Sequence, residues 1–164
     1  MPRSALLLVL AATLRLAAAD AACGDWLTGD GKARVRIAPS ADGKTDVGTI
    51  VWLREPNGDD GLPRRDVNTP EAERRGRPVL GLAIVTGLEH DDGKTWTGGR
   101  IYDPVSGKTY RCKATLAKDG KTLKLRGYIG ISLLGRTDVW TRVPPAADQA
   151  APATPEATPP APTK

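Results

Sequence analysis

The chain has 164 residues, with 24 Lys and Arg against 19 Asp and Glu, a formal charge of +5. Hydrophobic residues make up 40%, charged residues 26%, and Phe is absent, which excludes a collagen, a coiled coil and a wholly disordered chain. The 18 Gly and 14 Pro argue against a helical bundle, and one His with two Cys leaves little for a zinc site or a catalytic triad.

The first segment has a basic start at Met1-Pro2-Arg3, then apolar runs over 5–12 and 14–19. A short apolar stretch followed by small residues predicts a secretory signal peptide over 1–21, with A-x-A cleavage sites after Ala19 or Ala21. No later apolar run is long enough for a transmembrane segment, so the mature protein is expected to be periplasmic or secreted. Asp20, three places before Cys23, argues against a lipoprotein. In an oxidising compartment Cys23 and Cys112 are the one available disulfide pair. Such a bridge closes a loop of roughly 90 residues and adds about 4–5 kcal/mol on the chain-entropy scale.

From Ala33 onward period-2 alternation recurs. Ala33, Val35 and Ile37 alternate with Arg34 and Arg36, and the turn at 39–43 follows. Gly48 to Leu53 reads as a second strand and Leu80, Leu82 and Ile84 as one face of a third. Thr95 to Tyr102 follows the turn Asp91-Asp92-Gly93. Tyr110, Cys112, Ala114 and Leu116 alternate with Arg111, Lys113 and Thr115. Asp119-Gly120 marks a hairpin, Leu123 and Leu125 alternate with Lys124 and Arg126, and Thr137 to Val143 closes the set. With a first strand around Trp26 this makes about eight strands. The expectation is an all-β, antiparallel, up-and-down barrel over 22–143. The segment Glu55 to Arg77 interrupts the series. Thr69, Pro70 and the acids after them start a short helix that Gly76 stops. This long loop is either a lid over one barrel end or a plain crossover. Residues 144–164 are rich in Pro, Ala and Thr and predict a disordered tail.

Gly24 and Trp26 open the first strand, and Trp140 and Arg142 close the last. This G-x-W with a late Arg resembles lipocalins, in which the Arg covers the Trp ring and shuts one barrel end, a cation–π contact. Further motifs are Asp66-Val67-Asn68-Thr69-Pro70, 77–82, 96–104, Gly107-Lys108-Thr109-Tyr110, 125–130 and Leu134-Gly135-Arg136-Thr137. Together these resemble a bacterial family of small exported proteins, a domain of unknown function, across nearly the whole mature core. The resemblance implies a lipocalin-like (calycin) barrel and small-ligand binding, with no established activity.

Most chemical candidates have a plain reading. His90 sits in a polar turn, where a lone His is usually solvated. Asn57-Gly58-Asp59-Asp60-Gly61 lacks the spacing and distal Glu of a calcium loop and reads as a turn. Gly98-Gly99, Gly127, Gly130 and Gly135 mark strand bends. Asp66 and Asn68 are expected to pin the long loop by bonding Arg136 or nearby backbone. Trp52, Trp96, Tyr110 and Tyr128 either line a pocket or fill a core that has no Phe. Arg100 or Arg126 could meet a ligand's acidic headgroup.

The function that follows is exported, non-enzymatic binding of a small apolar or amphipathic ligand, lipid-like or isoprenoid-like. No cofactor, metal or nucleic-acid partner is expected. The alternative is a cell-envelope interaction or structural module with a filled barrel. A pocket continuous with the barrel mouth favours the first, and a packed interior the second.

Overall fold

The structure is a computed structural model that describes residues 20–145. The signal-peptide and tail expectations therefore lie outside the described residues. Ten strands follow in chain order: β1 Gly24–Leu27, β2 Ala33–Pro39, β3 Asp46–Leu53, β4 Arg65–Asp66, β5 Arg77–Pro78, β6 Ala83–His90, β7 Thr95–Asp103, β8 Lys108–Leu116, β9 Thr122–Tyr128 and β10 Arg136–Arg142. Eight of them close a barrel in the order β1-β10-β9-β8-β7-β6-β3-β2, and β4 and β5 form a separate two-stranded ribbon. Neighbouring barrel strands are antiparallel throughout. The antiparallel up-and-down barrel anticipated from alternation is therefore the fold observed.

Alternation works here because successive strand side chains point to opposite faces. On β9, Leu123 and Leu125 are buried while Lys124 between them is exposed. On β2, Val35 and Ile37 are buried and Arg36 is exposed. Closure leaves no unpaired sheet edge for another chain to extend. The interior holds Trp26, Trp96 and Trp140, each essentially inaccessible, with Val35, Ile37, Ile50, Val85, Leu88, Leu123 and Leu125 around them.

Bulges decide where the alternation changes phase. The β2–β3 register shifts between Arg34 and Val35. The β7–β8 register shifts between Trp96 and Gly99, where Gly98 takes φ +72°. An extra residue at such a point bends the strand and re-aims its neighbours. Gly99 follows at a tight spot inside the barrel. A Cβ there would come within 2.6 Å of the Leu88 side chain and 3.0 Å of Cys112 Sγ.

The third predicted strand is displaced. The strand starts at Ala83 rather than near Leu80, because Gly81 adopts φ +85° and breaks the extended run. Leu80 is accordingly exposed while Leu82 is buried. The helix expected in the long loop is a single 3-10 turn over Ala72–Arg74.

Candidate functional site

The two barrel ends differ in kind. The base gathers the start of β1 and the end of β10. Arg142 lies over the Trp26 ring with its guanidinium carbon 4.2 Å from the centroid. Its three nitrogens donate to the carbonyls of Gly120 at 2.7 Å, Cys23 at 2.7 Å and Ala21 at 2.6 Å. A guanidinium suits this place because its planar fork satisfies several acceptors at once and stacks on a ring. Burial lowers the Arg142 pKa from its ordinary value, partly offset by Cys23. Trp26 Nε1 donates to Ala22 O at 2.8 Å, and Trp140 Nε1 to Asp138 at 2.7 Å. Gly24 takes φ +124° beside Arg142, whose Nη1 would lie 2.9 Å from an added Cβ. Gly24, Trp26 and Arg142 thus meet at one end, and Trp140 lies two residues before Arg142 on β10, buried in the interior.

The anticipated disulfide between Cys23 and Cys112 is not present among the described residues. Cys23 sits at the base, where Arg142 binds its carbonyl. Cys112 lies opposite Gly99 and Gly127, three strands around the wall from β1. A bridge needs Cα atoms within about 7 Å, and strands sit about 4.8 Å apart, so the wall separates the pair beyond reach. Burial pushes the Cys112 thiol pKa up to about 12.

The rim gathers the long loop over 54–82, the β7–β8 turn and the β9–β10 loop. Asp66 holds the long loop, though not through Arg136. Its buried carboxylate accepts Tyr102 Oη at 2.7 Å and Arg77 Nε at 3.0 Å. Arg77 also lies over the Tyr102 ring at 5.6 Å. Asn68 Nδ2 donates to Val105 O at 2.8 Å, tying the same loop to the β7–β8 turn. Arg136 is exposed on β10, opposite Gly127, and takes no part in this anchor. Arg77 is near enough because β5 pairs directly with β4. The loop is therefore a crossover strapped to the rim.

The six residues proposed to bind ligand do not line one pocket. Trp96 faces in and is fully buried, and its indole Nε1–H has no hydrogen-bond partner in the structure. Tyr110 lies opposite Ile101 on the inward face and is half-buried. The other four face out. Trp52 is turned outward by the β2–β3 bulge, opposite Arg34, which stacks 4.9 Å over its ring. Arg100 lies opposite Arg111, and Arg111 opposite Tyr128, all on the outer face. Arg126 braces the β9–β10 loop, donating to Ser132 O at 2.6 Å, Leu133 O at 2.9 Å and Thr137 Oγ1 at 2.9 Å. An open depression of about 370 Å³ lies on the outer face of β2 and β3, between Ala38, Val47 and Val51.

His90 ends β6, with its ring edge-on to Trp96 at 5.4 Å and Nε2 3.2 Å from Gly93 O. Among the described residues no cluster of three metal-ligating side chains occurs, and no helix is long and apolar enough to cross a membrane. The feature missed from sequence is an apolar rim. Val105, Ile129, Ile131, Leu133 and Leu134 are all exposed, the two leucines by 83% and 82%. The signal was present as Ile129-Gly130-Ile131-Ser132-Leu133-Leu134, an apolar run broken by Gly where a polar loop is the norm.

No curated protein matches this chain. Among solved structures it is similar to protein HP1028 from the human pathogen Helicobacter pylori, described as belonging to the lipocalin family. The two share 18% identity at a TM-score of 0.67, over 77% of this chain and 86% of that one. At that identity the likeness concerns the fold. The motifs spread from Gly24 to Arg142 carry a closer relationship, and over residues 24–142 the chain belongs to the bacterial family DUF2147, described as an uncharacterized protein conserved in bacteria.

Proposed function

We propose that the protein is an exported, non-catalytic interaction module whose barrel is filled by its own side chains and whose contact surface is the rim. One observation carries this reading: the apolar side chains are divided between two places. Three tryptophans and their aliphatic neighbours occupy the interior, while Ile129, Ile131, Leu133 and Leu134 stand in solvent. Interior glycines support it, since a Cβ on Gly48 would come within 2.9 Å of Val85 and 3.0 Å of Val35. The engagement of His90 by Trp96 and Gly93 supports a non-catalytic role.

A second reading, binding of a small and mostly apolar ligand inside the barrel, is favoured by the orphan Nε1–H of Trp96. A buried donor left unpaired costs about 1–3 kcal/mol, and a ligand acceptor would remove that cost. Export rests on the 1–21 segment. Cleavage after Ala19 keeps both Ala21 and Ala22, whose carbonyls hold Arg142 and Trp26, so Asp20 is the expected mature N-terminus.

Native mass spectrometry of protein recovered from the periplasm tests these readings together. The expected spectrum is an apo mass starting at Asp20 that stays apo with a panel of fatty acids and isoprenoids. A reproducible added mass, lost on organic extraction, overturns the filled-barrel reading in favour of a carrier.

A further inference from the structure

The β9–β10 loop is built to keep its apolar side chains outside. Arg126 reaches from β9 and grips the carbonyls of Ser132 and Leu133, fixing the 3-10 turn Ser132–Leu134. Gly135 packs against the strand wall, where a Cβ would collide with Gly127 O and the Tyr128 side chain. The turn is held by its backbone, so Leu133 and Leu134 do not fold back onto the barrel. Val105 projects from the adjacent β7–β8 turn and is exposed to a similar degree.

Below this tip the outer wall is basic. Arg100 stands directly opposite Arg111, and Lys113 directly opposite Arg126. Like charges in direct cross-strand register are unfavourable. No ion pair relieves Arg100, Arg111, Lys113 or Arg136 among the described residues. From Pro104 to Thr137 the sequence carries Asp119 as its sole acid. The nearby carboxylates are occupied: Asp66 by Arg77 and Tyr102, Asp103 by its own turn, Asp138 by the Trp140 indole.

We propose that this rim docks on an anionic lipid bilayer, with Leu133, Leu134, Ile131 and Val105 entering the interface and Lys108, Arg111 and Arg136 meeting headgroup phosphates. A soluble polyanion would satisfy the cations and leave the leucines in water, and an apolar protein partner would do the reverse. A bilayer interface satisfies both at once. The proposal deepens the rim reading given above by naming the class of partner.

The test is co-sedimentation of the protein recovered from the periplasm with sucrose-loaded vesicles of phosphatidylcholine, with and without 30% phosphatidylglycerol. The probe variants are Leu133→Ser/Leu134→Ser and Arg111→Gln/Arg136→Gln, each checked for an unchanged melting temperature. Wild type should partition to anionic vesicles and weaken as salt rises. The leucine variant should bind at least about tenfold more weakly, and each arginine removed should weaken binding about fivefold. The protein used is the form recovered from the periplasm, with its N-terminus checked by mass, so that binding to either vesicle reports the folded chain and not the apolar segment over 5–19.

No binding to anionic vesicles overturns the proposal, as does equal binding to neutral ones. Anionic binding that ignores the leucine substitutions assigns the surface to a polyanion and also overturns it. Vesicle binding by a protein that carries an extractable interior ligand sustains the docking surface and sinks only the filled-barrel reading. An apo barrel that ignores vesicles does the opposite.

Discussion

Replacing Asp66 with alanine removes the one carboxylate that ties the long loop to the barrel. Its side chain is 0% exposed, whereas its partner Arg77 is 31% exposed. Loss of one member of a fully buried ion pair costs about 3–5 kcal/mol, chiefly by stranding the other charge. Arg77 keeps some access to water, so its share is smaller. The Tyr102 hydroxyl, 2.7 Å from Asp66, loses a charged acceptor as well. Together these place the destabilisation at about 2–4 kcal/mol. For a fold of this size that is a fall in melting temperature of about 8–16 °C. Differential scanning calorimetry or a circular-dichroism melt reads it directly. Tyr102→Phe should cost less, about 1–2 kcal/mol, and the double variant should show coupling because the two side chains share one bond. A drop below about 2 °C for Asp66→Ala would refute the anchor. An unchanged melting temperature with lost vesicle binding would instead make Asp66 a functional residue.

The base of the barrel should be equally sensitive. Arg142→Lys keeps the charge but loses the fork that reaches three carbonyls, so it should destabilise by about 2 kcal/mol and red-shift tryptophan emission; wild-type behaviour would show that a point charge suffices. Gly99→Ala should destabilise by about 1–3 kcal/mol through overpacking against Leu88, measured by urea unfolding. Burial raises the Cys112 thiol pKa from 9.0 to about 12, so the folded state holds its proton where the unfolded state releases it. Stability from this source is complete below pH 9 and is lost as pH rises toward 12. Cys112→Ala should flatten that part of the stability–pH curve, and an unchanged slope would assign the alkaline loss to other groups.

Strand positions were readable because barrel walls are amphipathic and turns have their own chemistry. Lys118-Asp119-Gly120-Lys121 places a hairpin without reference to anything distant: Asp119 accepts the Lys121 amide at 2.8 Å and Gly120 takes φ +68°. Trp26 and Arg142 were readable as a closure pair, though 116 positions apart, because their motif resembles that of lipocalins. Facing was another matter. Strict alternation puts Trp52 on the same face as Gly48 and Ile50, and one extra residue at the β2–β3 bulge turns it outward. Period-2 reading has no means of locating a bulge whose extra residue, here Val51, is neither Gly nor Pro.

By itself the sequence determined an antiparallel barrel, the pairing of its hairpins and the residues that shut its base, all of which rest on local patterns or a family motif. Only the tertiary structure decided the partners across the rim and the fate of the cysteines. Asp66 chose Arg77 and Tyr102 over Arg136 because β4 pairs with β5 and both lie against β7. Cys23 and Cys112 stayed apart because barrel closure sets them three strands from each other. The exposed leucines owe their position to Arg126, a bond from strand to loop backbone that no periodicity encodes. These are contacts between groups distant in sequence or fixed by backbone direction, and both are set when the barrel closes.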